Sequence, residues 1–228
     1  MESDLLRILT VVGVFIPIGY VAGNAAVYAF NRMPASWLTD YGEEPDEKVV
    51  SEGRQRVKSI PWKYVFAASF IVLGVYLGLS DWLYAIPAMV ALWLLLLVAL
   101  GDIKYKIIPD QLCLFLGITA MGFVPFHHHY LDILWGGLLG FFSVLAVSLL
   151  GKLIFRRDAI GLGDAKLCGA LGMILGWKSI GAVMIVGAFM GGLWAAIGLL
   201  TKRYKGGDEQ PMGQFIAAAA AITMVFFF

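Results

Sequence analysis

Long apolar runs separated by short charged segments leave this chain few ways to fold. The runs span residues 5–30, 63–79, 82–101, 111–126, 131–155, 164–177, 179–201 and 211–228. A helix crossing a bilayer needs about 20 such residues, and in lipid only a helix or a closed barrel satisfies its own backbone. Only 14% of the 228 residues are charged, against about 25% in soluble domains. The expected fold is all-α: a polytopic transmembrane helix bundle of about eight spans with one short polar loop. Three segments follow, namely 1–30 as a first transmembrane helix, 31–62 as a cytoplasmic loop and 63–228 as the main bundle. The first run is longer than the 7–15 residues of a signal-peptide core and has Glu2 and Asp4 ahead of it, so it reads as a retained helix. The sixth run is short and glycine-rich, and its full crossing is left open.

The charges give the orientation. Fifteen of the 17 Lys and Arg fall within 31–63, 101–110, 151–166 and 202–205, leaving only Arg7 and Lys178 for the other side. Cytoplasmic loops carry the excess of Lys and Arg. Those four segments are therefore expected inside and both termini outside, in a plasma (inner) membrane.

The one long polar segment, 35–62, is too short for a domain with its own core. Its acids come first, as Asp40, Glu43, Glu44, Asp46 and Glu47, and its bases follow. Two cysteines, Cys113 and Cys168, are too few for a disulfide framework or a four-cysteine zinc site, and read as free buried thiols. His127, His128 and His129 have no acid or cysteine cluster beside them and read as an outside turn, not a metal site. No nucleic-acid partner is expected.

Acids at a membrane edge are costly, so each invites a functional explanation. Asp102 ends the third run in "LLLLVALGDIKYKIIPDQL", and Asp164 opens the sixth in "AIGLGDAKLCGALG". The third run enters from outside and the sixth leaves from inside, so both aspartates come to the cytoplasmic edge. Two neighbouring carboxyls share a proton, and such a pair can activate water while hydrogen-bonding a substrate carbonyl. Asp164 starts a helix, where the dipole favours its anion, and Asp102 ends one, where it does not. Gly161 and Gly163 could let an extended substrate backbone approach. The competing explanation makes both aspartates helix caps. Asp110, after Pro109, reads as an N-cap, and Asp158 as a solvated loop charge.

These residues resemble the motifs of the prepilin peptidases. "GDIKYKIIPDQL" resembles their first aspartate motif, and "GLGDAKLCGALGMILGW" their Gly-x-Gly-Asp motif with its following Lys and Gly-Trp end. "GNAAVYAFNRMP" looks like their Asn-Val-Val-x-x-Arg-x-Pro segment, and "QPMGQFIAAAA" is similar to their closing Pro-x-Gly-Pro-Phe stretch. The four segments occur in the same order and cover most of the chain. The resemblance implies a membrane aspartyl endopeptidase with Asp102 and Asp164 as its catalytic pair. Such enzymes cut the basic leader from type IV prepilins or pseudopilins after a glycine, at the cytoplasmic membrane face. Gly161 and Gly163, with Asp40, Glu43, Glu44, Asp46 and Glu47, are then candidate substrate contacts, the acids facing the leader's bases.

One departure stands out. Many members carry two Cys-x-x-Cys pairs in the first cytoplasmic loop, holding zinc, and methylate the product with S-adenosylmethionine. Residues 31–62 contain no cysteine, so no zinc is expected there and the methyltransferase activity is in doubt. Three alternatives remain: an ion- or proton-coupled transporter, a non-catalytic assembly protein, and an archaeal-type preflagellin peptidase. A transporter would place its acids near the bilayer midplane, and the six-span preflagellin enzymes lack the long N-terminal part.

Overall fold

Each apolar run is helical in the computed structural model, which describes residues 2–39, 44–155, 161–202 and 211–227. The eight runs form seven helices, because the sixth and seventh are two limbs of one. Among the described residues there is no strand. Five helices are long and apolar enough to cross a membrane, so the chain is an all-α polytopic membrane protein. Two compact units divide it, Met1–Leu97 and Val98–Phe228.

The first unit is built on α1 (Glu2–Arg32) and α3 (Ser59–Ser80), with the beginning of α4 (Trp82–Tyr105). Gly19 and Gly23 lie against the backbone at Ile71 and Ala67, and Phe15 lies over Gly74 and Gly78. Rising numbers on α1 thus meet falling numbers on α3, and the two are antiparallel. Small residues let the backbones approach where lipid supplies no hydrophobic drive between helices. The Trp93 indole N–H donates to Ala22 O at 3.0 Å.

The polar segment is more ordered than its composition suggests. It contains a 3-10 turn at Ala35–Trp37 and a short helix, α2 (Glu47–Glu52), capped by the Asp46 side chain. Leu38, Val49 and Val57 are buried. Asn31 exchanges two hydrogen bonds with the Val57 backbone, at 2.9 and 2.7 Å. Arg56, only 6% exposed, donates to Phe30 O and Met33 O. It thereby adds a donor to carbonyls at the α1 C-terminus, one of which, Phe30 O, also accepts from the Met33 N–H at 3.4 Å.

The second unit holds the end of α4, α5 (Asp110–Thr119) with a 3-10 extension at Ala120–Phe126, α6 (Leu131–Phe155), α7 (Leu162–Leu200) and α8 (Gly213–Phe226). A straight helix as long as α7, 39 residues, would run about 58 Å, nearly twice a bilayer's apolar core. It does not run straight. Gly176 has φ 75° and ψ 169°, a left-handed φ natural to glycine. Before it, Cys168 and Gly172 meet Gly140 and Gly136 of α6 in reverse order. Beyond it, Trp177 Nε1 reaches Asp132 at 3.2 Å and Met184 Sδ meets Ser143 Oγ at 3.3 Å, so α6 numbers now rise with those of α7. The chain turns back at Gly176, and α7 is a helical hairpin. The second limb then packs antiparallel to α8, with Gly187 against Ile216 and Gly191 against Phe215 and Met212.

Candidate active site

Asp102 sits in the last turn of α4, which Lys106 ends with φ 57°. Pro109 follows closely as the N-cap of α5 and holds Ile108 extended. This short turn aims Ile108 into the space between α7 and α8. A Cβ on Gly163 would lie 3.2 Å from Ile108 Cβ, and one on Gly213 would lie 2.6 Å from Ile108 Cδ1 and 3.2 Å from Asp102 Cγ. The two glycines therefore make room for Ile108, and Ile108 packs beside Asp102.

Asp164 is the third residue of α7, whose N-cap is Gly161. Its Oδ2 is turned toward Gly161, whose amide lies within reach. Its Oδ1 is buried and has no hydrogen-bond partner among the described residues. Asp102 and Asp164 are 4% and 9% exposed; among the described residues the one other buried charged side chain is Arg56. Arg56 directs Nη1 to the carbonyls it caps. The aspartates lie near enough for the charge of Asp102 to act on Asp164, so the structure brings the two together in the second unit.

Neither aspartate is the N-cap residue of its helix, although Asp164, at the third position of α7, turns Oδ2 back toward the amide of the N-cap Gly161. Asp102 instead accepts a 2.7 Å hydrogen bond at Oδ2 from the backbone N–H of Gln214, in the first turn of α8. The Gly213 amide and the Lys106 charge also act on it. The helix-dipole argument from sequence weighed only α4 and α7; the N-terminus of α8 is a third contributor, and it faces Asp102.

The other candidates are placed as follows. Gly161 is exposed, and a Cβ on it would stand 3.8 Å from Asp164 Oδ2, whereas the face of Gly163 is filled by Ile108. Glu44, Asp46 and Glu47 are exposed in the first unit; Asp40 and Glu43 lie outside the described residues, as does Asp158. Asp110 is not the N-cap of α5, because Pro109 holds that position and the Asp110 carboxylate is bound by Lys166 Nζ at 2.6 Å. Cys113 and Cys168 are free and buried. Among the described residues no group of three or more His, Cys, Asp and Glu could hold a metal ion.

The turn in the middle of α7 has a different chemistry. His127 Nε2 lies 3.0 Å from Ile174 O, beside the turn at Gly176. Burial holds its imidazole below the ordinary histidine value.

Sequence reasoning missed Ile108, Gly213 and Gln214. The last two lie inside the quoted stretch "QPMGQFIAAAA", yet nothing in their side chains signals that a backbone amide meets an acid 112 positions earlier.

Comparison with known proteins bears on this site. Residues 89–196 match the model of the "Type IV leader peptidase family". The chain is 31% identical over 137 residues to the prepilin leader peptidase/N-methyltransferase of Pseudomonas aeruginosa, covering 59% of this chain and 47% of that protein. For the protein of that name in Bacillus subtilis the identity is 30% over 173 residues, with 71% and 63% covered. The Stutzerimonas stutzeri protein of that name is 27% identical over 137 residues, with 59% and 47% covered. The chain thus spans about half the length of two of these relatives and less than two thirds of the third. No solved structure matches. The matched segment contains Asp102, Asp164 and both glycines beside the second aspartate, and the match together with these relatives supports a member of the type IV leader peptidase family.

Proposed function

We propose that the chain is a membrane aspartyl endopeptidase that removes the basic leader of a type IV prepilin or pseudopilin after a glycine, with Asp102 and Asp164 as its catalytic pair. The observation that carries this is the meeting of two buried carboxyls within the family-matched segment. Burying an acid is costly unless its charge is shared or used, and a buried oxygen without a partner, such as Asp164 Oδ1, needs one. An attacking water or the scissile carbonyl supplies it. One carboxylate takes a proton from the water as it adds to the carbonyl carbon, while the protonated partner hydrogen-bonds the carbonyl oxygen. The tetrahedral diol then collapses as the leaving amine takes up a proton.

The active end faces the cytoplasm and both termini lie outside. This is supported by the position of Lys104, Lys106, Lys152 and Lys166 at the ends of α4, α6 and α7 nearest the aspartates. Exposed Glu44, Asp46 and Glu47, with Asp40 and Glu43, attract the leader's Lys and Arg. The proposed activity is proteolysis; it draws on neither zinc nor S-adenosylmethionine.

Purified protein in detergent or vesicles, given a prepilin with a basic leader, tests the pair. Asp102→Asn and Asp164→Asn should each lower cleavage on the order of 10³-fold or more while the thermal unfolding temperature holds. Robust cleavage by either variant removes that aspartate from the mechanism.

A further inference from the structure

We infer that the Lys166–Asp110 ion pair is a strap across the active end. It holds the segment that carries Asp164 against the segment that carries Asp102, and so sets how the two carboxyls face each other. This rests on the two aspartates being the catalytic pair; Lys166 and Asp110 are positioning residues and do not touch the reacting atoms. Lys166 stands in the second turn of α7, just after Asp164, and Asp110 opens α5, just beyond the turn that ends the helix of Asp102. The ends of the pair thus lie in the two stretches that carry the aspartates, "GDIKYKIIPDQL" and "GLGDAKL". Lys166 Nζ meets Asp110 Oδ2 at 2.6 Å. Cys113, buried in α5, lies within reach of the charges of Asp110, Lys166 and Asp164, so the pair and the second aspartate share one neighbourhood.

The two segments differ in how they are held. From Asp102 to Asp110 the path is short and stiff: the Lys106 N–H bonds Asp102 O at 2.9 Å, and Pro109, with its fixed φ, is the N-cap of α5. Asp110 therefore stands at a set offset from Asp102. The start of α7 lacks such a hold, because its N-cap, Gly161, makes no side-chain cap bond. A helix dipole does not favour a cation near the N-terminus, and the carboxylate across from Lys166 accounts for one there. Ile108 against Gly163 limits how near the two segments come, and the ion pair limits how far apart they go. Wedge and strap together fix the spacing. Both side chains of the pair are exposed, so the pair adds little to stability. Its effect belongs in rate, where small misplacements of a reacting group are costly.

Leader cleavage by the full chain in detergent is followed as kcat and KM, with thermal unfolding measured beside it. The variants are Asp110→Asn, Lys166→Met, the two combined, and Lys166→Arg. Asp110→Asn and Lys166→Met should each lose about fivefold in kcat, with KM and the unfolding temperature close to the parent. The combined variant should lose about the same fivefold and not the product of the two, because the second change removes a contact already gone. Lys166→Arg keeps a charged donor for Asp110 and should stay within about twofold of the parent. If Lys166→Met does not fold, Lys166→Gln takes its place in the cycle. Full kcat in either single variant overturns the inference, as do losses that multiply in the combined variant or an equal loss in Lys166→Arg. A loss that falls in KM would make Lys166 a substrate contact, and one that follows a lowered unfolding temperature would make the pair structural; either overturns the strap. Should Asp102→Asn or Asp164→Asn cleave normally, the catalytic reading fails first. If both are inactive and the pair variants are fully active, only the strap fails.

Discussion

A methyl group added at position 213 would come within 2.6 Å of Ile108 Cδ1 and 3.2 Å of Asp102 Cγ. Something must move, and the movable atom is the end of the isoleucine, which already borders Asp102. Gly213→Ala should lower cleavage by about tenfold, through a shifted carboxylate. Ile108→Val removes Cδ1 and should restore most of the activity in the Gly213→Ala background, a coupling that a double-mutant cycle of cleavage rates would read directly. By contrast the Lys166–Asp110 pair, with side chains 43% and 53% exposed, is worth at most about 1 kcal/mol. Asp110→Asn should leave the unfolding temperature nearly unchanged. At this scale sequence picks out Asp102 and Asp164, because acids among apolar residues stand out by cost, and both are buried in the structure. Ile108 and Gly213 could not be read, since their contribution is shape, and a lone isoleucine or glycine in an apolar chain carries no mark of its neighbours.

The helices themselves were largely legible. Apolar length marked α1, α3, α4 and α6, whereas the glycine-rich sixth run left its crossing open and its close approach to α6 shows only in the structure. The reversal inside α7 was half legible, as a short sixth run followed directly by a seventh; the dihedral angles of Gly176 that make the turn are a backbone property. A side chain there meets an unfavourable φ of 75° and then His127, 3.2 Å from the new Cβ. Gly176→Ala should destabilise the protein by about 1–2 kcal/mol, seen as a lower unfolding temperature. The same turn should respond to pH. Burial disfavours the charged imidazole of His127 in the folded protein, so the unfolded chain binds the proton more readily. Its contribution is complete above about pH 6.5 and is lost as pH falls through the unfolded value toward the lower folded one. Unfolding temperatures measured from about pH 7.5 down to pH 5 should drop less steeply in His127→Gln. The small helix α2 escaped sequence reasoning because six residues are too few to show a period.

For the molecule as a whole, the charge distribution makes two demands. A maleimide that cannot cross membranes should label His128→Cys in whole cells and fail to label Lys104→Cys until the membrane is opened. The native thiols should not interfere, Cys113 and Cys168 being 6% and 0% exposed. Neutralising Asp40, Glu43, Glu44, Asp46 and Glu47 together should raise KM for a basic leader at low salt and leave kcat close to the parent. The difference should shrink as salt screens it over about 8 Å. Overall class was readable because it is a summed property of many residues, whereas the packing inside each unit depends on contacts that no sum records. The hairpin of α7 also bears on how the protein is made. Its first limb, 14 residues from Leu162 to Leu175, is shorter than the roughly 20 that hold a helix across a bilayer unaided. As the ribosome delivers the chain, that limb has its full lipid-crossing partner only after Trp177 and the residues beyond have emerged. The limb that carries Asp164 is therefore expected to settle across the bilayer only late in synthesis, as one half of a pair that inserts together.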